Sequence, residues 1–249
     1  TTLFRSAKTL SSPSGHRMIE VFPPSNTELP ATVNRFTKAV TEYQTKLLGI
    51  KNTSPTIAYE IQRFQPRKLR LQFAVPNARL ERKLRTHLQE QIPDIWVEEG
   101  RSEIPVRTGE SAGVGILSLR KKDVYPLETE FDSPPTNSVV TALHQDAMRD
   151  SRILIQVLFK PVAGQPIRKR IWHQEASRES RNLRSEKIGV LPWNDRDATP
   201  LERTQARQVD RKAGNTRFHA SIRILVIGAE EYTASRVKEV SGGFNIFSN

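Results

Sequence analysis

The sequence predicts an α+β fold: two tandem ferredoxin-like halves (β-α-β-β-α-β), with an αα-hairpin inserted in the second. Three observations predict it. Apolar residues alternate along two late stretches, 153–161 (ILIQVLFKP) and 217–228 (RFHASIRILVIG), the two-residue period of β-strands. Between them lies a polar, Arg-rich insert, residues 165–213. The first hundred residues read strand, helix, two strands, helix, strand. The two late stretches are expected to pair as antiparallel neighbours, with the insert projecting from the loop between them.

In chain order, residues 1–17 are rich in Ser and Thr, carry Arg5, Lys8 and Arg17, and contain no acid. That composition suits a transit peptide, but it reads better as a disordered tail. The first half, residues 18–100, opens with a short strand at 19–22 (IEVF), closed by Pro23 and Pro24. A helix follows, with Pro30 in its first turn, a stripe of Val33, Phe36, Val40, Tyr43 and Leu47, and Gly49 as its stop. Ile57, Tyr59 and Ile61 alternate with polar residues, and Gln65-Pro66-Arg67 makes a turn. Leu69, Leu71, Phe73 and Val75 then describe a half-buried strand. Asn77 caps a helix with a stripe of Leu80, Leu84, Leu88 and Ile92, and residues 95–97 make the closing strand.

The second half, residues 101–249, repeats this order with longer joints. Residues 114–119 are a strand, and Asn137 caps a short helix carrying Val139, Val140, Leu143 and Ala147. Residues 153–161 and 218–227 are the second and third strands. A helix over 232–240 ends at Gly242-Gly243, and 244–247 offers a fourth strand. Leu154 and Leu158 make the 153–160 strand apolar on both faces, so cover is expected on both sides, from the N-terminal half or a following domain. The pattern is compatible with one shared sheet or with two.

The insert is read most directly. Thr199-Pro200-Leu201-Glu202 is a capping box with proline at the first helical position, and Gly214 is the stop. Leu201, Val209 and Ala213 share a thin apolar face, and Arg203, Arg207 and Arg211 form a separate stripe. A preceding helix over 172–188 carries Arg178, Arg181, Arg184 and Lys187, and residues 191–195 make the turn. Residues 168–212 hold twelve basic and seven acidic residues. So many interleaved acids favour a docking arm over a dedicated phosphate-binding face, with pairing at helical spacing.

Composition bounds the function. Net charge is +12, which favours a polyanionic neighbour such as nucleic acid or an anionic membrane face, or serves solubility alone. Only 36% of residues are hydrophobic and 7% aromatic, so part of the chain is expected to be solvated loop or appendage. No run approaches the roughly 18–20 apolar residues of a bilayer-spanning helix. The lack of cysteine excludes disulfides, thiolate catalysis and Cys-ligated zinc.

Catalytic signals are weak. Gly109-Glu110-Ser111-Ala112-Gly113 matches the G-x-S-x-G elbow, with Asp132 and His144 following in hydrolase order. That elbow needs a strand before it, whereas here the strand follows. His16, His87, His144, His173 and His219 lack metal-ligand spacing, and no G-x-x-x-x-G-K-[ST] or G-x-G-x-x-G occurs. No catalytic, cofactor or metal site is expected.

Several patches resemble the N-terminal module of HerA/FtsK-class DNA-pumping ATPases of conjugation and type IV secretion-like systems of archaea and bacteria. They are 18–22, 69–76 with its helix, 125–132 (YPLETEFD), 138–143, 155–161 (IQVLFKP) with the basic Trp-containing stretch after it, and 217–247, including Ser235-Arg236-Val237 and 243–247 (GFNIF). The similarity covers roughly 18–249 and rests on order and short patches. It implies a scaffold, cytoplasmic or peripheral at the inner membrane face, whose partners are a P-loop ATPase domain of the same or a companion chain and secretion-channel proteins. DNA and further copies of the chain in a ring are the remaining implied partners. This chain stops at Asn249, about where such a motor would begin, so ATP hydrolysis is not assigned to it. The surface expected to face a docking partner or DNA comprises Arg168, Lys169, Arg170, Arg178, Arg181, Arg184, Arg203, Arg207 and Arg211. The rival class is a free-standing basic nucleic-acid-binding protein.

Overall fold

The computed structural model describes residues 16–24, 37–47, 49–66, 68–102, 106–119, 121–128, 131, 134–145, 148, 150–184 and 198–248. Nine strands lie among them: β1 (Arg17–Phe22), β2 (Thr45–Lys46), β3 (Lys51–Asn52), β4 (Ile57–Gln65), β5 (Lys68–Val75), β6 (Trp96–Glu99), β7 (Ala112–Leu117), β8 (Arg152–Pro161) and β9 (Phe218–Ile227). The helices are α1 (Ala78–Gln91), α2 (Thr136–His144), α3 (Pro166–Arg184), α4 (Pro200–Gly214) and α5 (Thr233–Gly242). Seven strands form one sheet in the order β6-β1-β5-β4-β8-β9-β7, and β2 and β3 make a small separate hairpin. Every pairing in the large sheet is antiparallel.

The expected pairing of β8 with β9 is present along ten residue pairs, from Arg152↔Ile227 to Pro161↔Phe218. Both halves share one sheet, joined where β4 pairs with β8. Leu154 and Leu158 are buried as expected. The expected cover differs, because the N-terminal half extends the sheet sideways instead of lying across β8.

Helices α1, α2 and α5 cover one face. Leu80, Leu84 and Leu88 of α1 pack on Ile19, Val21, Phe73 and Val75, and the side chain of Asn77 caps the helix by accepting from Leu80 N–H at 2.9 Å. Val139 and Leu143 of α2 and Val240 of α5 pack on Ile153, Ile155, Ile224 and Val226. At the β7 edge α5 comes so close that a Cβ on Gly113 would stand 2.4 Å from Thr233 Cγ2. Glycine is required there by close approach, not by a turn.

The opposite face carries a polar row. Glu20, Gln72, Glu60 and Gln156 stand side by side across β1, β5, β4 and β8. Gln72 and Gln156 each donate an amide N–H to the Glu60 carboxylate at 2.8 Å, and Gln62 does so at 2.9 Å. Gln72 is fully buried, so β5 is not the half-solvated strand its alternation predicts. The chain leaving β6 covers it: Gln72 Nε2 donates to Arg101 O at 3.1 Å. That chain must then reach β7, at the far edge of the sheet.

Four expectations fail locally. Helical backbone stops at residue 40, so the stripe does not reach Leu47, and residues 25–36 lie outside the described residues. Leu47 (φ 53°) and Gly49 (φ 85°) instead take left-handed conformations that turn β2 into β3, leaving Tyr43 and Leu47 exposed. Helix α2 begins at Thr136 after Pro135 with no side-chain cap, so Asn137 lies inside its first turn; Val140 is exposed and Ala147 lies outside the described residues. Residues 245–247 form a 3₁₀ turn instead of a fourth strand. Phe247 is held there by Glu128, whose N–H donates to its carbonyl at 3.1 Å, and by an edge-on contact with Phe131 at 5.5 Å. The tail, residues 1–15, lies outside the described residues, but Arg17 already belongs to β1.

Candidate functional site

The insert between β8 and β9 is an αα-hairpin arm. Helix α3 starts at Pro166, six residues before its expected start at Trp172, and its 19 residues span about 28 Å at 1.5 Å per residue. Helix α4 starts as expected: Thr199 Oγ1 accepts from Glu202 N–H at 3.2 Å, while Glu202 accepts from Thr199 N–H at 2.8 Å. Ala176 of α3 and Val209 of α4 are buried between the helices and Val124. Val209 and Ala213 lie on the expected apolar face, but Leu201 is exposed and Ala206 is buried in its stead. The expected turn at 191–195 and Lys187 lie outside the described residues.

The loop after β7 clamps the base of the arm. Trp172 Nε1–H donates to Asp123 Oδ1 at 2.8 Å, and the guanidinium of Arg217 stacks 3.6 Å from the Trp172 ring centroid. Lys212 donates to the carbonyl oxygens of Asp123 and, at 2.9 Å, Tyr125. The Tyr125 hydroxyl donates to Glu179 at 2.5 Å, and Lys122 lies 3.3 Å from the same carboxylate. Burial, with help from Glu179, pushes the Tyr125 phenol up to about 12. The Tyr125 hydrogen bond and then Lys122 hold Glu179 below the usual carboxylate range. Burial holds Lys212 below the usual lysine range. The arm is therefore braced at its base by residues 122–125 and by Arg217.

The structure leaves all nine predicted cations exposed, and six of them line two hollows. Lys169, Arg170 and Arg181 share a flank of α3 with His173, lining an open hollow of about 560 Å³. Burial, then Arg217 and Lys169, lower the pKa of His173. Further out, Arg184, Arg203 and Arg207 converge on a second hollow of about 380 Å³, where Arg184 also pairs with Asp210. Arg168, Arg178 and Arg211 line neither hollow. A family model described as "Domain of unknown function (DUF8128)" matches residues 3–249. The chain belongs to the DUF8128 family. No curated protein and no solved structure matches it.

Sequence reasoning missed the clamp of this DUF8128 chain. Asp123, Tyr125 and Glu179 are ordinary loop and helix residues, and their partners stand 49 to 89 positions away. The stacking of Trp172 on Arg217 had one visible signal, an aromatic residue in an otherwise polar insert. The elbow motif of the DUF8128 chain lacks elbow geometry: β7 begins at Ala112, inside the motif, and Thr233 Oγ1 donates to Ser111 Oγ at 3.1 Å. His144 Nδ1 sits 2.9 Å from Val140 O, while Asp132 lies outside the described residues. Among the described residues of this DUF8128 chain, no helix is long and apolar enough to cross a membrane, and no cluster of His, Asp and Glu is arranged to hold a metal ion.

Proposed function

We propose that the chain is a non-catalytic scaffold and docking module of a DNA-translocating conjugation or type IV secretion-like ATPase. It works in the cytoplasm or peripherally at the inner membrane face, joining a P-loop motor to channel proteins and neighbouring subunits. The observation that carries this reading is the braced, cation-rich arm. A clamp at the base transmits force and position, whereas a flexible basic tail would transmit neither. The acids interleaved with the cations, Asp210 among them in its pair with Arg184, suit a protein surface of mixed charge better than a continuous phosphate backbone.

The order β6-β1-β5-β4 is that of a ferredoxin-like half, in which each crossover leaves room for one strand. The order β8-β9-β7 repeats three of those four places, so the sheet supports tandem halves fused through their second strands.

The test is calorimetric binding to the P-loop ATPase domain of the same system. Paired Arg178→Glu and Arg181→Glu substitutions should weaken the complex at least tenfold, or about 1.4 kcal/mol, with unchanged circular dichroism. A complex indifferent to both charges ends the docking reading.

One observation favours the rival, a free-standing nucleic-acid-binding protein. Arg184, Arg203 and Arg207 converge on one hollow. Three neutralised phosphates would give a salt slope of about −2.7 on duplex DNA.

A further inference from the structure

Among the described residues, nothing pairs with the outer side of either edge strand of the large sheet, and the two edges are unlike. Gly100 N–H donates to Met18 O at 2.8 Å. Alternation along an antiparallel ladder then turns the backbone groups of Glu98 toward β1 and those of Val97 and Glu99 outward. On β7, Gly228 N–H donates to Ser111 O at 2.9 Å, and the same alternation leaves Ala112, Val114 and Ile116 facing outward. Edge strands are commonly blunted by lysine, proline or a bulge. Strand β7, AGVGIL, has no lysine or proline and pairs with β9 in unbroken register.

Exposed apolar side chains mark the same two edges. Val114 is 67% exposed and Ile116 54% on β7, and Trp96 is 64% exposed on β6. All three lie on the face opposite the helices: Val114 and Ile116 pair with Leu225 and Arg223, and Trp96 with Phe22. Charge is complementary as well. Strand β6 ends in the exposed acids Glu98 and Glu99, whereas β7 is uncharged and the chain runs on toward exposed Lys121.

Direction completes the match. Six successive antiparallel pairings make the first strand, β6, and the seventh, β7, run the same way. We infer that β7 of one copy takes β6 of a second copy as its eighth strand, in parallel register, with the helices of both copies on the same side. In that register Val114 and Ile116 stand beside Trp96 and Glu98 of the second copy, side chains on the same face. The indole covers the exposed β7 pair, and the acids run toward Lys121. The contact is head-to-tail, so it repeats and builds a ring or a filament. Among the described residues it fills the place beside β7 that the ferredoxin-like reading gives to a fourth strand. It does not depend on the docking reading, since neither edge belongs to the arm.

Sedimentation velocity of the full chain tests this. Wild type is expected to form species larger than two copies of 28.3 kDa. Ile116→Lys and Trp96→Lys should each be monomeric with unchanged circular dichroism. An equimolar mixture of these two variants should stop at dimers, because only one intact edge of each kind remains. A wild type that stays monomeric at the highest attainable concentration overturns the inference. So does a dimer that survives Trp96→Lys and is lost with Ile116→Lys, which would mean that β7 pairs with β7.

Discussion

Arg217 lies over the indole of Trp172, with 3.6 Å between guanidinium carbon and ring centroid. This contact ties α3 to the residue that leads into β9, and so joins the arm to the sheet where the two meet. Trp172 also donates to Asp123, which brings the loop after β7 into the same joint. Trp172→Ala should therefore cost about 2 kcal/mol, from lost stacking and lost apolar burial. Amide hydrogen exchange is expected to rise through both arm helices and to stay unchanged in β4 and β5. Uniform change, or none, would show that the clamp does not brace the arm.

Close approach of α5 to β7 makes a second expectation. Gly113→Ala places a methyl group 2.4 Å from Thr233 Cγ2, and Gly115→Ala one 2.6 Å from Val237 Cγ1. Each should destabilise by about 1–3 kcal/mol through overpacking. Gly214→Ala, where nothing lies within 4 Å, is the control. Urea midpoints compare the three.

Glu60 holds the polar row together by accepting from three glutamine amides. Glu60→Leu removes the shared acceptor and leaves buried N–H groups unpaired, at a cost of about 3 kcal/mol. Glu60→Gln keeps one acceptor oxygen and should cost less. Equal losses in denaturant unfolding would mean that the row contributes packing alone.

The clamp also sets a pH dependence. The Glu179 carboxyl has its folded-state pKa lowered, by the Tyr125 hydrogen bond first and Lys122 after it. Its contribution is present above the unfolded value of 4.5 and is lost as pH falls through the lower folded value. Tyr125 is raised from 10.0 to about 12, so its contribution is complete below pH 10 and fades as pH rises toward 12. Glu179→Gln should shrink the acid limb of the stability profile without abolishing it, because Glu110, lowered by its hydrogen bond to Arg152, contributes as well. Tyr125→Phe should shrink the alkaline limb without abolishing it, because buried Tyr59 is raised to about 12 as well. Thermal midpoints across pH read both limbs.

Where local signals decided structure, they were legible in the sequence. Asn77 with Leu80, Leu84 and Leu88, and Thr199 with Pro200 and Glu202, each place a cap and its helix within a few residues. The 3–4 stripe through Tyr43 and Leu47 was overridden by backbone conformation, because a turn through Leu47 and Gly49 made strands of its last residues. The apolar run at 244–247 fits strand or turn equally. Phe131 and Glu128, more than a hundred residues upstream, decide for the turn. The arm's cations could be read one by one, since exposed arginines on a helix need no partner to be recognised. The convergence of Arg184 on Arg203 and Arg207 could not, because it joins α3 to α4 across the hairpin.

The central claim is that the arm meets protein and not nucleic acid. Titration of the chain with random duplex DNA, repeated across salt concentrations, tests it most directly. Binding weaker than about 10⁻⁴ M at physiological salt is the expected result. Affinity near 10⁻⁶ M, with a salt slope of several units that shrinks on Arg203→Glu and Arg207→Glu, would contradict it.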